Sequence, residues 1–463
     1  MVALTIALVV ALAVGIAGWV AWHNARDDEA ALRRAASTAN TNNLGDSTTT
    51  TTSPSSNDDP FAALGDLGKL FGDSAAYAQC FASDIGSLLG NDRLQIPTTS
   101  AQAQYDALVE WVQRDRHLKF KTVPKPVYVD QAEMARRVRA QILRDYTAKD
   151  AQRDEALLVT LGVLAPNVDL RDEYAQFVGG QVAGYYDPKT GEMVILGNAD
   201  QPLDETELTT LAHELEHALA DQALGIPKAA EASNAQGSDA QLAATALVEG
   251  DATFTMTDFQ LQSLGANGLP DLTSPDLGGQ LQALEQAPHF LSAELLFPYT
   301  EGLRFVCDLK SNGGWDAVDR AYKRPPRTTA QVMFPSRYTS NERAARPPAP
   351  DQPGPQWRRV RTETIGAADL MFLFEAPGGD TDRALSDARG RAGAWAGGTL
   401  TQWQDGDKHA VTMSLVPRAG TSGPGLCDSM RAWLAATPQP SSGSSARAVQ
   451  CTNANVQVSI ATG

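Results

Sequence analysis

His213-Glu214-Leu215-Glu216-His217 sets two imidazoles four residues apart with a carboxylate between them. On a helix, residues at this spacing lie one above the other, so both rings leave the same face and can grip one cation. That is the arrangement a zinc hydrolase needs: two neutral histidine ligands, an open coordination position for water, and a carboxylate placed to take the water's proton. The chain holds only six His, which makes an accidental match to the pattern a weak alternative. The flanks predict a helix around it. Asp204 or Thr206 can cap its start, and Leu208, Leu211, Leu215, Ala218 and Leu219 recur at helical spacing.

A hydrolytic zinc site needs a third protein ligand, and the downstream helical stretch Ala246 to Phe254 offers Glu249. It follows an apolar run, where an unpaired carboxylate is costly to desolvate and a cation offsets that cost. Asp251, two residues on, points to a different side of the helix and does not share the role.

Two segments carry a family resemblance: HELxHALxDQ, here His213 to Gln222, and EGDA, here Glu249 to Ala252. Leu161 to Leu164, Gln181 to Pro188 and Phe297 to Gly302 extend it, so that it spans about residues 100 to 345. The chain resembles a gluzincin zinc metallopeptidase of the thermolysin-like and M1-like superfamily, in its bacterial membrane-anchored or secreted form. The resemblance implies an α+β fold: a mostly helical thermolysin-like catalytic domain with a small mixed sheet. It implies Zn2+ as cofactor with His213, His217 and Glu249 as ligands, Glu214 as general base, and a peptide or protein as substrate. It also singles out Tyr299 as the donor to the developing oxyanion, with Tyr185, Tyr186 and His289 as rivals. Where thermolysin-type enzymes carry an Asp four residues after the glutamate ligand, this chain has Thr253, so Asp221 or Asp251 must orient a histidine. The G-x-M-E-N segment of an aminopeptidase is absent from the sequence, which favours an endopeptidase.

Gln181 to Tyr186 and Glu192 to Leu196 are β-rich runs around Asp187-Pro188-Lys189-Thr190-Gly191, and read as a hairpin. In gluzincins the first such strand is an exposed sheet edge, to which an extended peptide can add as a strand. Val182, Ala183, Gly184 and Tyr185 are therefore expected to line the substrate cleft. Two other functions fit the same residues: a catalytically silent, membrane-tethered peptide-binding protein with a peptidase fold, and a zinc amidase acting on cell-wall material.

Around this region the sequence divides further. Residues 2–22 form an uncharged apolar run, long enough for a transmembrane anchor. Arg26, Arg33 and Arg34 follow it, which by the positive-inside rule argues for a cytoplasmic body. Against that, Cys80, Cys307, Cys427 and Cys451 form an even set without metal or redox spacing, which suits disulfides in an oxidising compartment; Cys427 with Cys451 is the favoured internal pair. Residues 23–75, rich in Ser and Thr, read as a flexible linker. The expectation is thus a single-pass membrane protein with an extracytoplasmic catalytic domain at 76–345.

A proline-rich linker at 346–355 leads to a small C-terminal α+β domain at 356–463. Its strands are expected at Leu400 to Trp403, Ala410 to Leu415 and Val456 to Ile460, its helices near Asp380 to Arg391 and Gly425 to Ala436, and a glycine-rich turn at Gly393 to Gly398. The net charge of -17 argues against nucleic acid as a partner, because such binding depends on clustered Lys and Arg.

Overall fold

A computed structural model describes residues 80–81, 94–179, 182–227, 230, 238–264, 287–420, 424–439 and 446–462. The fold is mixed α+β with two small sheets. Its first part runs α1 (Ala101–Asp115), β1 (Pro126–Val129), α2 (Gln131–Asp145), α3 (Ala148–Leu161), α4 (Leu170–Gly179), β2 (Gly184–Asp187), β3 (Glu192–Leu196), α5 (Glu205–Ala223), α6 (Ser238–Leu264) and α7 (His289–Lys323). Short helices α8 (Thr329–Met333) and α9 (Pro335–Thr339) follow. The second part comprises β4 (Arg358–Thr364), α10 (Ala367–Glu375), α11 (Ala388–Ala392), β5 (Trp395–Asp405), β6 (Lys408–Pro417), α12 (Leu426–Ala436), β7 (Ala446–Cys451) and β8 (Val456–Ala461).

Helix α5 starts where the sequence dictates. The Asp204 carboxylate accepts from the Glu207 N–H at 2.8 Å, and the Asp204 N–H donates to the Glu207 carboxylate at 2.7 Å. This reciprocal cap satisfies two donors that a helix end leaves open. Gln104 of α1 ties itself to the residue ahead of the cap, donating to the Leu203 carbonyl and accepting from the Leu203 N–H. Helix α6 is buried on nearly every side between Gln241 and Phe259, the mark of a helix at the centre of a core.

Helices α6 and α7 cross at glycines. A Cβ on Gly302 would run into the backbone carbonyl of Ala246, and one on Gly250 into the backbone of Gly302. Only hydrogen at these positions lets the two backbones meet, and that approach brings Glu249 and Tyr299 to one place. Helix α7 breaks at Gly313 and Gly314 before resuming to Lys323.

The smaller sheet has the order β1-β3-β2, with β1 parallel and β2 antiparallel to β3. The hairpin expected around Asp187 to Gly191 forms, and β2 is one of the sheet's two edge strands. The sequence also predicts a strand over Leu118 to Val129, and only Pro126–Val129 forms one. Gln181 lies outside the described residues.

The larger sheet is antiparallel with order β4-β5-β6-β8-β7. Its three central strands contain the three runs read from sequence. Two expectations are corrected. Asp380 to Arg391 is not one helix but a 3-10 turn at Thr381–Arg383 and the short α11, separated at Asp387, which has positive φ. Trp395 to Gly398 is not a turn but the first part of β5, and a Cβ on Gly397 would strike the backbone of Ala345, whose N–H donates to the Ala396 carbonyl at 2.8 Å. The glycines here serve a close approach of chain to strand.

One apolar core runs from Met134 and Val138 of α2 through α6 and α7 into Leu415 and Val458 of the larger sheet. Arg361 of β4 pairs with Asp154 of α3 at 2.6 Å, and the Gln402 side chain donates to the Arg153 carbonyl. Both disulfides form, Cys80 with Cys307 and Cys427 with Cys451, so the expected pairing in the C-terminal part holds. They agree with an oxidising compartment.

The expectation of a single-pass membrane protein is corrected. No helix among the described residues is long and apolar enough to cross a membrane. The apolar run 2–22 and the linker 23–75 lie outside the described residues.

Gly302→Ala should destabilise the protein by about 1–3 kcal/mol through overpacking at the helix crossing, read as a lower urea midpoint with unchanged slope. Wild-type stability in that variant would contradict the close-crossing account.

Candidate metal centre

Two turns of α5 and one of α6 bring His213, His217 and Glu249 together, and one ligand atom from each lies within 4.8 Å of the others. The Glu249 Oε2 is 3.4 Å from the His213 Nε2 and 3.3 Å from the His217 Nε2. All three atoms are buried, and none completes a hydrogen bond with a protein partner among the described residues. The two rings meet edge to face, 4.7 Å between centroids, as the four-residue spacing requires. Three lone-pair-bearing atoms aimed at one point, in a place that excludes bulk water, are the donor set for a cation. The three residues singled out from sequence therefore fit a metal ion.

The electrostatics follow from burial and from this proximity. Burial pulls His213 down to about 4, more than Glu249 pulls it up, so this imidazole is neutral and its lone pair free. Burial also works against a charged His217, but Glu249 and Glu214 outweigh it and raise this group. Burial works to raise Glu249, yet His217 and His213 bring it down to about 2. Without an ion, the carboxylate of Glu249 thus favours the protonated form of His217.

Glu214 is fully buried beside the triad. Burial pushes it up to about 8, Glu249 adds to the effect, and His217 opposes it. The Tyr186 backbone N–H faces this carboxylate and favours its charged form, but neither oxygen completes a hydrogen bond. A cation held by the neighbouring triad would offset the burial and favour the ionised form of Glu214.

Tyr299 also arrives at the site. Its ring lies 6.3 Å from that of His213, nearly parallel to it, on the side of α7 that the glycine crossing presses against α6. Of its rivals, His289 is paired with Glu375 at 3.1 Å. Tyr186 spans two points on α5: its N–H faces Glu214, and its hydroxyl donates to Asp221 at 2.9 Å.

The remaining expected residues are placed as follows. Asp221 accepts from Tyr186, and Asp251 accepts from Arg116 and Tyr322, so the hydrogen bonds of these two acids go to residues other than the histidines. Along β2 and its approach, Val182, Ala183 and Gly184 are buried and Tyr185 is half-buried. The Ala183 carbonyl accepts from the Leu196 N–H inside the sheet. Gly184 lies flat on α5: a Cβ there would sit 2.8 Å from the Thr210 side chain. The strand is thus fastened to the helix that carries both histidines.

Sequence reasoning missed Tyr186 as a neighbour of Glu214, and missed Arg116 and Glu216 altogether. Glu216 did leave a signal. It is a charged residue set among Leu211, Leu215, Ala218 and Leu219 of an apolar helical run, a setting that requires a partner. Nothing around Arg116 in the sequence identifies it as that partner.

Metal uptake should depend on pH in a direction set by His217. A metal takes the neutral imidazole, so the proton that Glu249 helps hold on His217 must leave. Apparent affinity should be level above the raised His217 pKa and fall as pH drops through it, with proton release on binding visible in weakly buffered solution. Affinity independent of pH between 5 and 8 would contradict this.

No protein family, no curated protein and no solved structure matched the chain in comparisons with known proteins.

Proposed function

We propose that the chain is a zinc-dependent endopeptidase of the gluzincin type. The observation that carries the reading is the convergence of three buried, unpaired ligand atoms from His213, His217 and Glu249 beside an equally unpaired Glu214. A structural histidine pair would have its nitrogens satisfied by the protein. Nitrogen and oxygen donors from two His and one Glu, with a carboxylate adjoining, are the ligand chemistry of catalytic zinc.

Held by His213, His217 and Glu249, zinc would supply Lewis acidity, the property that lowers the pKa of a water towards about 7 and polarises a carbonyl. Glu214 accepts the proton of the attacking water and passes it to the departing amine of the peptide bond. Tyr299 reaches the same space from α7, and its phenol donates to the carbonyl oxygen as negative charge develops there. Strand β2 is the sheet edge beside α5, and main-chain groups between Val182 and Tyr185 would hold an extended substrate independently of its side chains. Tyr186 supports both parts, since its backbone belongs to β2 and its two polar groups face Glu214 and Asp221 of α5.

Glu214→Gln tests the reaction directly. The variant should bind zinc at about one ion per chain, as wild type does, and lose cleavage of an unstructured protein such as casein. Retained proteolysis would remove Glu214 from the chemistry, and failure of the wild-type, zinc-loaded protein to cleave any peptide would remove the endopeptidase reading. Tyr299→Phe should keep zinc and fold but lower kcat about a hundredfold, the usual cost of an oxyanion donor. An unchanged kcat would make Tyr299 a packing residue.

A further inference from the structure

Behind the triad, a single guanidinium touches every helix that contributes to the site. Arg116 sits at the C-terminal cap of α1, fully buried. Its Nε is 2.9 Å from the Glu216 Oε1 in α5, and its Nη2 is 2.9 Å from the Asp251 Oδ2 in α6. The same Nη2 is 3.3 Å from the Asp319 Oδ1 in α7, and the guanidinium lies 3.9 Å over the Trp315 ring. Tyr322, also in α7, donates its hydroxyl to the same Asp251 oxygen at 2.9 Å. Glu216 is the residue before His217, Asp251 is two residues after Glu249, and α7 carries Tyr299.

This cluster is an expensive way to fill space. Taking a guanidinium and two carboxylates out of water costs several kcal/mol per ion, roughly, and well-packed apolar side chains of the same volume are often as stable or more so. What the ions add is direction. A planar guanidinium with donors at fixed angles constrains the separation and the rotation of the helices it joins, which interchangeable apolar contacts do not. The constraint falls on α5 and α6, the two helices whose mutual rotation decides whether His217 and Glu249 face one point. Successive helix positions are about 100° apart, so a small turn of α6 would carry the Glu249 carboxylate out of the triad.

We infer that Arg116 is the positioning residue of the metal centre: by gripping Glu216 and Asp251 it fixes α5 against α6 in the one setting where His213, His217 and Glu249 share an ion. The inference rests on the metal reading above. Arg116 touches neither substrate nor metal in this account, and acts only through the two helices.

The test is zinc affinity of the full chain, measured by competition with a chromophoric chelator, together with the visible spectrum of the cobalt(II)-loaded protein. Arg116→Met keeps the bulk and removes the fork. It should bind zinc about 10–100-fold more weakly, the usual cost of losing an outer support of a metal ligand, and shift the cobalt bands. Because that variant strands two buried carboxylates, it is paired with the triple variant Arg116→Met, Glu216→Gln, Asp251→Asn, which leaves only the partly exposed Asp319 charged; this protein should fold by circular dichroism and still bind zinc weakly. Arg116→Lys keeps the charge without the fork and should fall between. Wild-type zinc affinity and an unshifted cobalt spectrum in either folded Met variant would overturn the role of Arg116. A wild-type protein that binds no zinc would overturn the metal reading itself, a result separable from the first.

Discussion

Burial of charge is the constraint on which this structure turns. Helices α5 and α6 meet in the core, and at their contact they carry His213, Glu214, Glu216, His217, Glu249 and Asp251, all buried. Ionised groups do not stay in such a place without compensation. On one side of the contact, the carboxylates of Glu216 and Asp251 are met by Arg116. Burial works to lower the guanidinium's pKa, but Asp251 and Glu216 raise it well above its ordinary range and keep it charged. On the other side, Glu249 faces two imidazoles among the described residues, and the three together could hold a cation. The two halves of one helix contact thus solve the same problem, once with a residue of the chain and once with a place for a cation.

The remaining architecture serves that contact. The capping box at Asp204 fixes where α5 begins, hence which residues of it face α6. The Gly250 and Gly302 crossing brings α7 close enough to add Tyr299. Gly184 lets β2 lie on α5 above Thr210, and the Tyr186 hydroxyl fastens the strand to Asp221. Each of these is a close approach made possible by a small residue or directed by one hydrogen bond. The larger sheet stands behind them and shares the core through Leu415 and Val458, and Arg361 joins it to α3 at Asp154.

What the sequence made legible was local. The spacing of two histidines, the cap at Asp204 and the turn at Asp187 to Gly191 each depend on neighbours within a few residues, and each was readable. So were the three central strands of the larger sheet, whose apolar runs are buried. Its two edge strands, Arg358–Thr364 and Ala446–Cys451, were not, because edge strands carry charged and polar residues that suppress the strand pattern. Glycines misled at Gly393 to Gly398, where they permit Ala345 to approach a strand and do not turn the chain. Arg116 was invisible for a different reason: its partners lie 100 and 135 residues away, and no local pattern records a contact of that range.

The central claim is that His213, His217 and Glu249 bind one divalent ion. X-ray absorption at the zinc edge of the purified, zinc-equilibrated protein tests it most directly, because all four cysteines are in disulfides and cannot serve as ligands. The account predicts about one zinc per chain with a first shell of nitrogen and oxygen only, at about 2.0–2.2 Å, two of its members showing imidazole scattering. No bound zinc, or a shell without imidazole, would contradict it.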